Sequence, residues 1–247
     1  MFIHNSMLPK NNRKNTRNNT RISRRNNGKN SRNAINKNSK KTIVPTSFTN
    51  DISHIIYINL DSRVDRNKRI LNELSIFDPK MITRVSAVNN MDNPRVGCML
   101  SHLKALKLAR ERDYPNILIL EDDIVWTETV KKGYEVFKKL INNPYDVIML
   151  GGTSARFNPT TFALEFAYGT HAYLVNKSYY NTIIDEVENL SKLVKSPTNV
   201  NHAIDVKYSE LQRIHKWFIV SPPMIIQGKS YSNIEKRNTN YRNVQLY

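Results

Sequence analysis

The sequence predicts an α/β fold, a sheet covered by helices on both faces, and two observations carry that prediction. From about residue 50 onward, short apolar runs rich in β-branched residues alternate with stretches whose apolar residues recur at helical spacing. The runs are also apolar nearly throughout, as in 54–60 (HIIYINL) and 116–120 (NILIL), which marks strands buried on both faces. No internal repeat of fixed period competes with this reading.

The elements follow in order. A strand over 54–60 leads to a helix over 65–75, whose apolar residues Ile70, Leu71 and Leu74 share a face. Residues 81–88 read as a second strand. Pro94 precedes a long helix over 97–112 with Leu100, Leu103, Leu106 and Leu108 as its stripe, and Tyr114-Pro115 ends it. Residues 116–120 form the most buried strand. A helix over 128–142 sets Val130, Tyr134, Phe137 and Ile141 on one side. A strand over 145–150 stops at Gly151-Gly152. Residues 171–175 are a strand, 177–190 a helix, and 217–220 and 224–227 are late strands around Pro222-Pro223.

Charge divides the chain. Residues 1–45 carry twelve Lys or Arg and no acidic residue; the first is Asp51. With +17 overall, the remainder holds 17 − 12 = +5. Residues 1–48 are therefore expected to be a basic Asn/Lys/Arg-rich tail, with too few apolar groups to offset the entropy of ordering it. Residues 49–247 are expected to form one domain. The tail reads first as a solvated, low-complexity extension rich in Asn and Lys; its charge also suits an anionic surface, whether a membrane face, nucleic acid or an acidic partner. It lacks the interleaved aromatics of a single-strand binder. Cys98 is the only cysteine, so no disulfide forms within the chain. No apolar run of about 18 residues and no apolar stretch after the N-terminus occur, so neither a membrane span nor a signal peptide is expected, and the expected location is cytoplasmic.

In α/β sheets ligands sit outside the carboxyl ends of the strands. Two strands end there in charged clusters. One runs from Asn59 through Asp61, Arg63 and Asp65 to Arg66; the other is Glu121-Asp122-Asp123. If their strands are neighbours, the clusters meet in one crevice. Guanidinium groups such as Arg63 and Arg66 fork onto phosphate or ribose oxygens, and Asp61 accepts hydrogen bonds from sugar or base. Three consecutive carboxylates repel, and Mg²⁺ or Mn²⁺ relieves that while binding a diphosphate. Strand alternation puts Glu121 and Asp123 on one face and Asp122 on the other. A lone acidic triplet is explained equally well by an acidic turn or a helix cap. Neither a GxxxxGK[ST] nor a GxGxxG segment occurs, which disfavours P-loop and dinucleotide enzymes, and no early Gly-rich basic loop supports a nucleotidyltransferase.

The segments INLDSRVDR, RVGCMLSHLKAL and ILILEDDI, followed by YDVIMLGG, YGTHAYLVNKSYY and PPMIIQGKSYSNI, resemble glycosyltransferase family 25 in content and order. They cover most of 54–234 and leave 1–50 outside. The resemblance implies a GT-A-type, Rossmann-like, mostly parallel sheet. It implies a UDP-sugar donor carrying galactose or glucose, a glycan or protein hydroxyl acceptor, Mn²⁺ (or Mg²⁺), and inversion. Carried over, Asn59, Asp61, Arg63 and Arg66 line the donor nucleotide, with Gly97, Ser101 and His102 close by. Asp123, with Glu121 or Asp122, holds the metal; alternation favours Glu121 as its partner and leaves Asp122 to the donor. Inverting transfer needs a base for the acceptor hydroxyl. Asp205, in NHAIDVKYSEL, is the candidate, ahead of Glu210 and Glu165. His171 either helps hold phosphate or packs. Acceptor contacts are expected from 153–167 and 191–202. The competing reading, from another class, is a nucleic-acid- or acidic-partner-binding protein led by the tail on an inactive glycosyltransferase-like fold.

Overall fold

The structure, a computed structural model, describes residues 44–193 and 203–228, with the backbone of 230–232 and 237–239. Residues 1–43 lie outside the described residues, and with them nearly all of the expected tail. Its last residues do not stand apart. Helix α1 (Ser47–Asp51) buries Phe48 completely among Phe77, Trp126, Tyr134 and Phe137. The boundary drawn at 48/49 therefore cuts a helix that belongs to the core.

From there the chain alternates as its pattern requires. Strand β1 (His54–Asn59) leads to α2 (Val64–Glu73), β2 (Ile82–Ser86), α3 (Pro94–Glu111) and β3 (Asn116–Glu121). A short strand, β4 (Ile124–Trp126), precedes α4 (Val130–Ile141) and β5 (Val147–Met149). The hairpin β6 (Thr153–Phe157) and β7 (Leu164–Tyr168) returns the chain to β8 (Ala172–Asn176). Helices α5 (Tyr180–Leu193) and α6 (Ile204–Leu211), then β9 (Trp217–Ile219) and β10 (Ile225–Gln227), complete the domain, with β11 (Ser230–Ser232) pairing β12 (Arg237–Thr239).

The central sheet has the order β2-β1-β3-β8-β5-β9. It is parallel except for β8, which runs antiparallel to both β3 and β5. Apolar runs carry no sign of direction, so the reversal of β8 could not be read from its sequence. It follows from the β6–β7 hairpin, which brings the chain back without a crossover helix. Along β3 the pleat sends Ile117 and Ile119 to one face and Leu118 and Leu120 to the other, all fully buried. On the first face they pack with Met99 and Leu106 of α3, Ile183 and Ile184 of α5 and Tyr208 of α6. On the second they pack with Phe48, with Ile70 of α2 and with Phe137 of α4. Helices on both faces are what an uninterrupted apolar strand demands. Among the described residues, no helix is long and apolar enough to cross a membrane.

Local chemistry sets the boundaries. Helix α3 starts at Pro94, three residues before its apolar stripe suggests, because the Asn93 side chain accepts from the Val96 amide and Pro94 pre-sets the first turn. Strand β4 escaped the sequence reading because it is only three residues long, and the β6–β7 hairpin because its strands mix polar with apolar residues. In α4, Gly133 allows close approach: a Cβ there would lie 2.7 Å from both the Pro222 carbonyl and the Met224 side chain. Gly133→Ala is accordingly expected to lower the thermal midpoint, since overpacking costs about 1–3 kcal/mol against a helix-propensity gain of about 1 kcal/mol. An unchanged or raised midpoint would refute this account of how α4 seats.

Candidate functional site

Strands β1 and β3 are parallel neighbours in register, with Ile58 opposite Glu121. Their carboxyl ends therefore meet, and the two charged clusters share one crevice. A cavity of about 780 Å³ opens there, of a size suited to a small-molecule ligand. It is lined by Arg66, by Gly97, Ser101 and His102 of α3, by Glu121, Asp122 and Asp123, by Asp205 of α6, and by Gln227 of β10.

The triplet is built differently from an alternating strand. The chain leaves β3 after Glu121, and Asp122 and Asp123 occupy the turn into β4, so alternation does not govern them. Glu121 accepts from Thr170 Oγ1 at 2.7 Å and from Gln227 Nε2 at 3.4 Å. Asp122 is clamped on two sides: Asn59 Nδ2 donates to Oδ2 at 2.7 Å and Arg66 Nη1 to Oδ1 at 2.8 Å. The same Arg66 Nη1 lies 3.3 Å from Asp123 Oδ2. The Gln227 amide also stands near Asp123, where its pull partly offsets the burial of that carboxyl. The Gly228 amide fastens the turn by donating to the Asp123 carbonyl at 2.7 Å.

These surroundings drive the carboxylates apart electrostatically. Burial, and then the negative charge of Glu121, pushes the Asp123 carboxyl up to about 7 against the pull of Arg66. Glu121 goes the other way: burial would raise it, but the adjacent His102 and the Thr170 hydroxyl outweigh that and hold it low. Burial also raises Asp205, helped by the charge of Glu121, although the Val206 amide donates to it at 3.0 Å.

The remaining sequence candidates fall into two groups. Gly97, Ser101 and His102 line the cavity. Gly97 is needed where it stands, since a Cβ would meet the Val88 carbonyl at 2.6 Å. Ser101 donates to the Gly97 carbonyl at 2.6 Å and accepts from the Val88 amide at 2.8 Å, which fixes the loop after β2 to α3. His102 is buried, with Nδ1 2.8 Å from the Tyr173 hydroxyl. By contrast, Asn59, Asp61 and Arg63 are not among the lining residues. Asn59 is a buried bracket that also accepts from Arg84. Asp61 is exposed and held below the usual carboxylate range by Arg84 and Ser86. Arg63 grips Asp65 with two hydrogen bonds. His171 is buried behind the site, its carbonyl accepting from the Glu121 amide. Glu165 and Glu210 are exposed and line other surface, beside Arg156 and Lys207. Of the expected acceptor segments, 153–167 is the β6–β7 hairpin, whose first residue Thr153 reaches the cavity; 194–202 lies outside the described residues.

Sequence reasoning missed Gln227 and Thr170. Both stand inside segments that carry the family resemblance, but a lone amide and a lone hydroxyl signal nothing until the fold brings them to the triplet.

The chain matches the family described as glycosyltransferase family 25 (LPS biosynthesis protein) over residues 10–203. The match begins upstream of the motifs read from the sequence, taking in most of 1–50, and stops short of 204–234. No curated protein matches. Among solved structures, the chain is similar to A197 from STIV, with 13% identity and a TM-score of 0.40 over 79% of this chain and 96% of that one. It is similar to a glycosyltransferase involved in the glycosylation of the major capsid of PBCV-1, with 10% identity and a TM-score of 0.48 over 74% and 95%. It is also similar to the glycosyltransferase GlyE of Streptococcus pneumoniae TIGR4, with 9% identity and a TM-score of 0.40 over 69% and 45%.

The electrostatics yield a test that needs no substrate. Asp123 carries a folded-state pKa above its unfolded one, so ionising it at neutral pH weakens the folded state, and this penalty grows until pH passes about 7. Asp123→Asn removes it. In metal-free protein the variant should melt above wild type by a margin that widens from pH 5 to pH 8, whereas Arg66→Ala should cost about 3–5 kcal/mol by stripping a buried cation from two carboxylates. A margin that stays flat or reverses would contradict the assignment.

Proposed function

Since this chain belongs to glycosyltransferase family 25, we propose that it transfers a sugar, galactose or glucose, from a UDP-sugar to a hydroxyl of a glycan or protein acceptor, with inversion and with a divalent cation. One observation carries the reading: a single cavity at the carboxyl ends of the sheet gathers the acidic triplet, Arg66 and a separate carboxylate on another element, Asp205.

The residues present fit a hard cation. Glu121 and Asp123 are close enough for the charge of one to raise the other, and that excess of negative charge is what Mn²⁺ or Mg²⁺ neutralises through oxygen ligands. Asp123 with Glu121 would hold it, and the bound cation supplies Lewis-acid stabilisation to the departing diphosphate. Asp122 is positioned by Asn59 and Arg66 and faces the donor as part of the same wall. Arg66 adds a cation toward which the diphosphate is drawn, and Arg95 lines the same space. Gly97 and Ser101 shape the wall by holding the loop after β2 against α3. Asp205 takes the acceptor's proton as its oxygen attacks the anomeric carbon. Its burial suits that work, because a carboxyl raised above the ordinary range is a stronger base than an exposed one.

A panel of UDP-sugars with Mn²⁺ tests this by thermal shift. A donor present at 100 times its dissociation constant should add about 2.7 kcal/mol of stability. Chelation should abolish turnover. Asp205→Asn should keep the donor-dependent shift while losing transfer, and the acid limb of kcat/KM should sit above the ordinary aspartate range. If no donor shifts the midpoint and Asp123→Ala leaves the protein's behaviour toward donors unchanged, the reading fails.

A further inference from the structure

The α3 wall of the cavity holds two side chains, Cys98 and His102, that the transfer reading does not use. Cys98 and His102 stand four residues apart on α3, hence on one face. Glu121 ends β3 beneath them. One ligand atom from each, the thiol sulfur, an imidazole nitrogen and a carboxylate oxygen, lie within 4.8 Å of one another. His102 is 1% exposed, and its Nε2 is buried without a hydrogen bond. That nitrogen points toward Glu121 Oε1 at 3.6 Å. This is too long for a hydrogen bond, but close to the separation of about 3.4 Å that two N/O ligands of one tetrahedral zinc adopt.

We propose that Cys98, His102 and Glu121 form a site for a soft divalent cation of the zinc class, sharing Glu121 with the oxygen-ligand site but independent of Asp123. The donor set decides the class: one thiolate, one imidazole and one carboxylate select zinc or cobalt over magnesium or calcium. Three protein ligands leave a fourth position open to the cavity, the pattern of an accessible rather than a closed structural site. The surroundings orient the ligands as outer partners of metal sites do. With Nε2 on the cation, Nδ1–H donates to the Tyr173 hydroxyl at 2.8 Å, and that hydroxyl lies 3.2 Å from the hydroxyl of Tyr208. Thr170 donates to Glu121 Oε1 at 2.7 Å, which fixes that carboxylate's orientation. Glu121 is common to the two sites. Its Oε1 faces His102 and Thr170, and its Oε2 accepts from Gln227.

Cobalt(II) titration of the reduced full-length protein tests the site without reference to sugar transfer. Cys98 is the chain's only cysteine, so a thiolate-to-cobalt charge-transfer band has one source. The expected result is that band, with four-coordinate ligand-field absorption, saturating at one cobalt per chain and displaced by zinc. It should vanish in Cys98→Ser and His102→Gln and persist in Asp123→Asn. Zinc should also slow alkylation of Cys98 in wild type at least tenfold, which needs no variant to fold. No band in folded wild type, a band that survives His102→Gln, or one lost in Asp123→Asn would overturn the proposal. A failed donor screen alongside an intact cobalt spectrum would sink the transferase reading alone.

Discussion

The clamp on Asp122 is the interaction around which the site is built. Three carboxylates in sequence cannot end a buried strand unless their charge is met, and desolvating one without a partner costs several kcal/mol. Asn59 and Arg66 meet it from the first β–α unit, one at the last residue of β1 and the other on the first turn of α2. That bond joins the two charged clusters across the β1–β3 pair. Arg66 also reaches Asp123, so one guanidinium serves two of the three carboxylates, and all three line the cavity.

Because Asp122 is satisfied within the protein, the neighbours divide the labour. Glu121 is held low by His102 on α3 and by Thr170 just before β8, and Asp123 is pushed up by burial and by Glu121. Neighbouring acidic groups driven in opposite directions by their surroundings are a common mark of functional sites. The cost is stability: a raised carboxylate and a raised Asp205 both weaken the folded state at neutral pH, the usual trade of a functional pocket against a relaxed one.

The scaffold that bears this charge is apolar on both faces. Ile117, Leu118, Ile119 and Leu120 anchor β3 in two separate cores, and α3, α5 and α6 on one side face α1, α2 and α4 on the other. The backbone of the triplet is tied further by the His171 carbonyl and the Gly228 amide. The cluster is therefore carried at the end of a strand whose four central residues are fully buried, and it is fastened on both sides, which keeps its geometry fixed while its charges repel.

The α/β class, the order of the main elements and the crevice where the two charged clusters meet were legible in the sequence alone, because buried strands read as unbroken apolar runs and charge gathers at their carboxyl ends. Arg66, Asp122 and Asp123 stood out for that reason. What the tertiary structure decided was direction, pairing and partners. The apolar run of β8 does not say that it is antiparallel. Strand alternation does not extend past Glu121 into a turn. Asn59 and Asp61 look alike in a charged cluster, yet one is a buried bracket and the other an exposed partner of Arg84. Gln227, some hundred residues from the triplet, and Cys98, which as a lone cysteine signals nothing, gain meaning only when β10 and α3 close around Glu121. The physical reason is the same throughout: periodicity records which side of an element is apolar, while hydrogen bonds and charge pairs are made between residues that only the completed fold brings within reach.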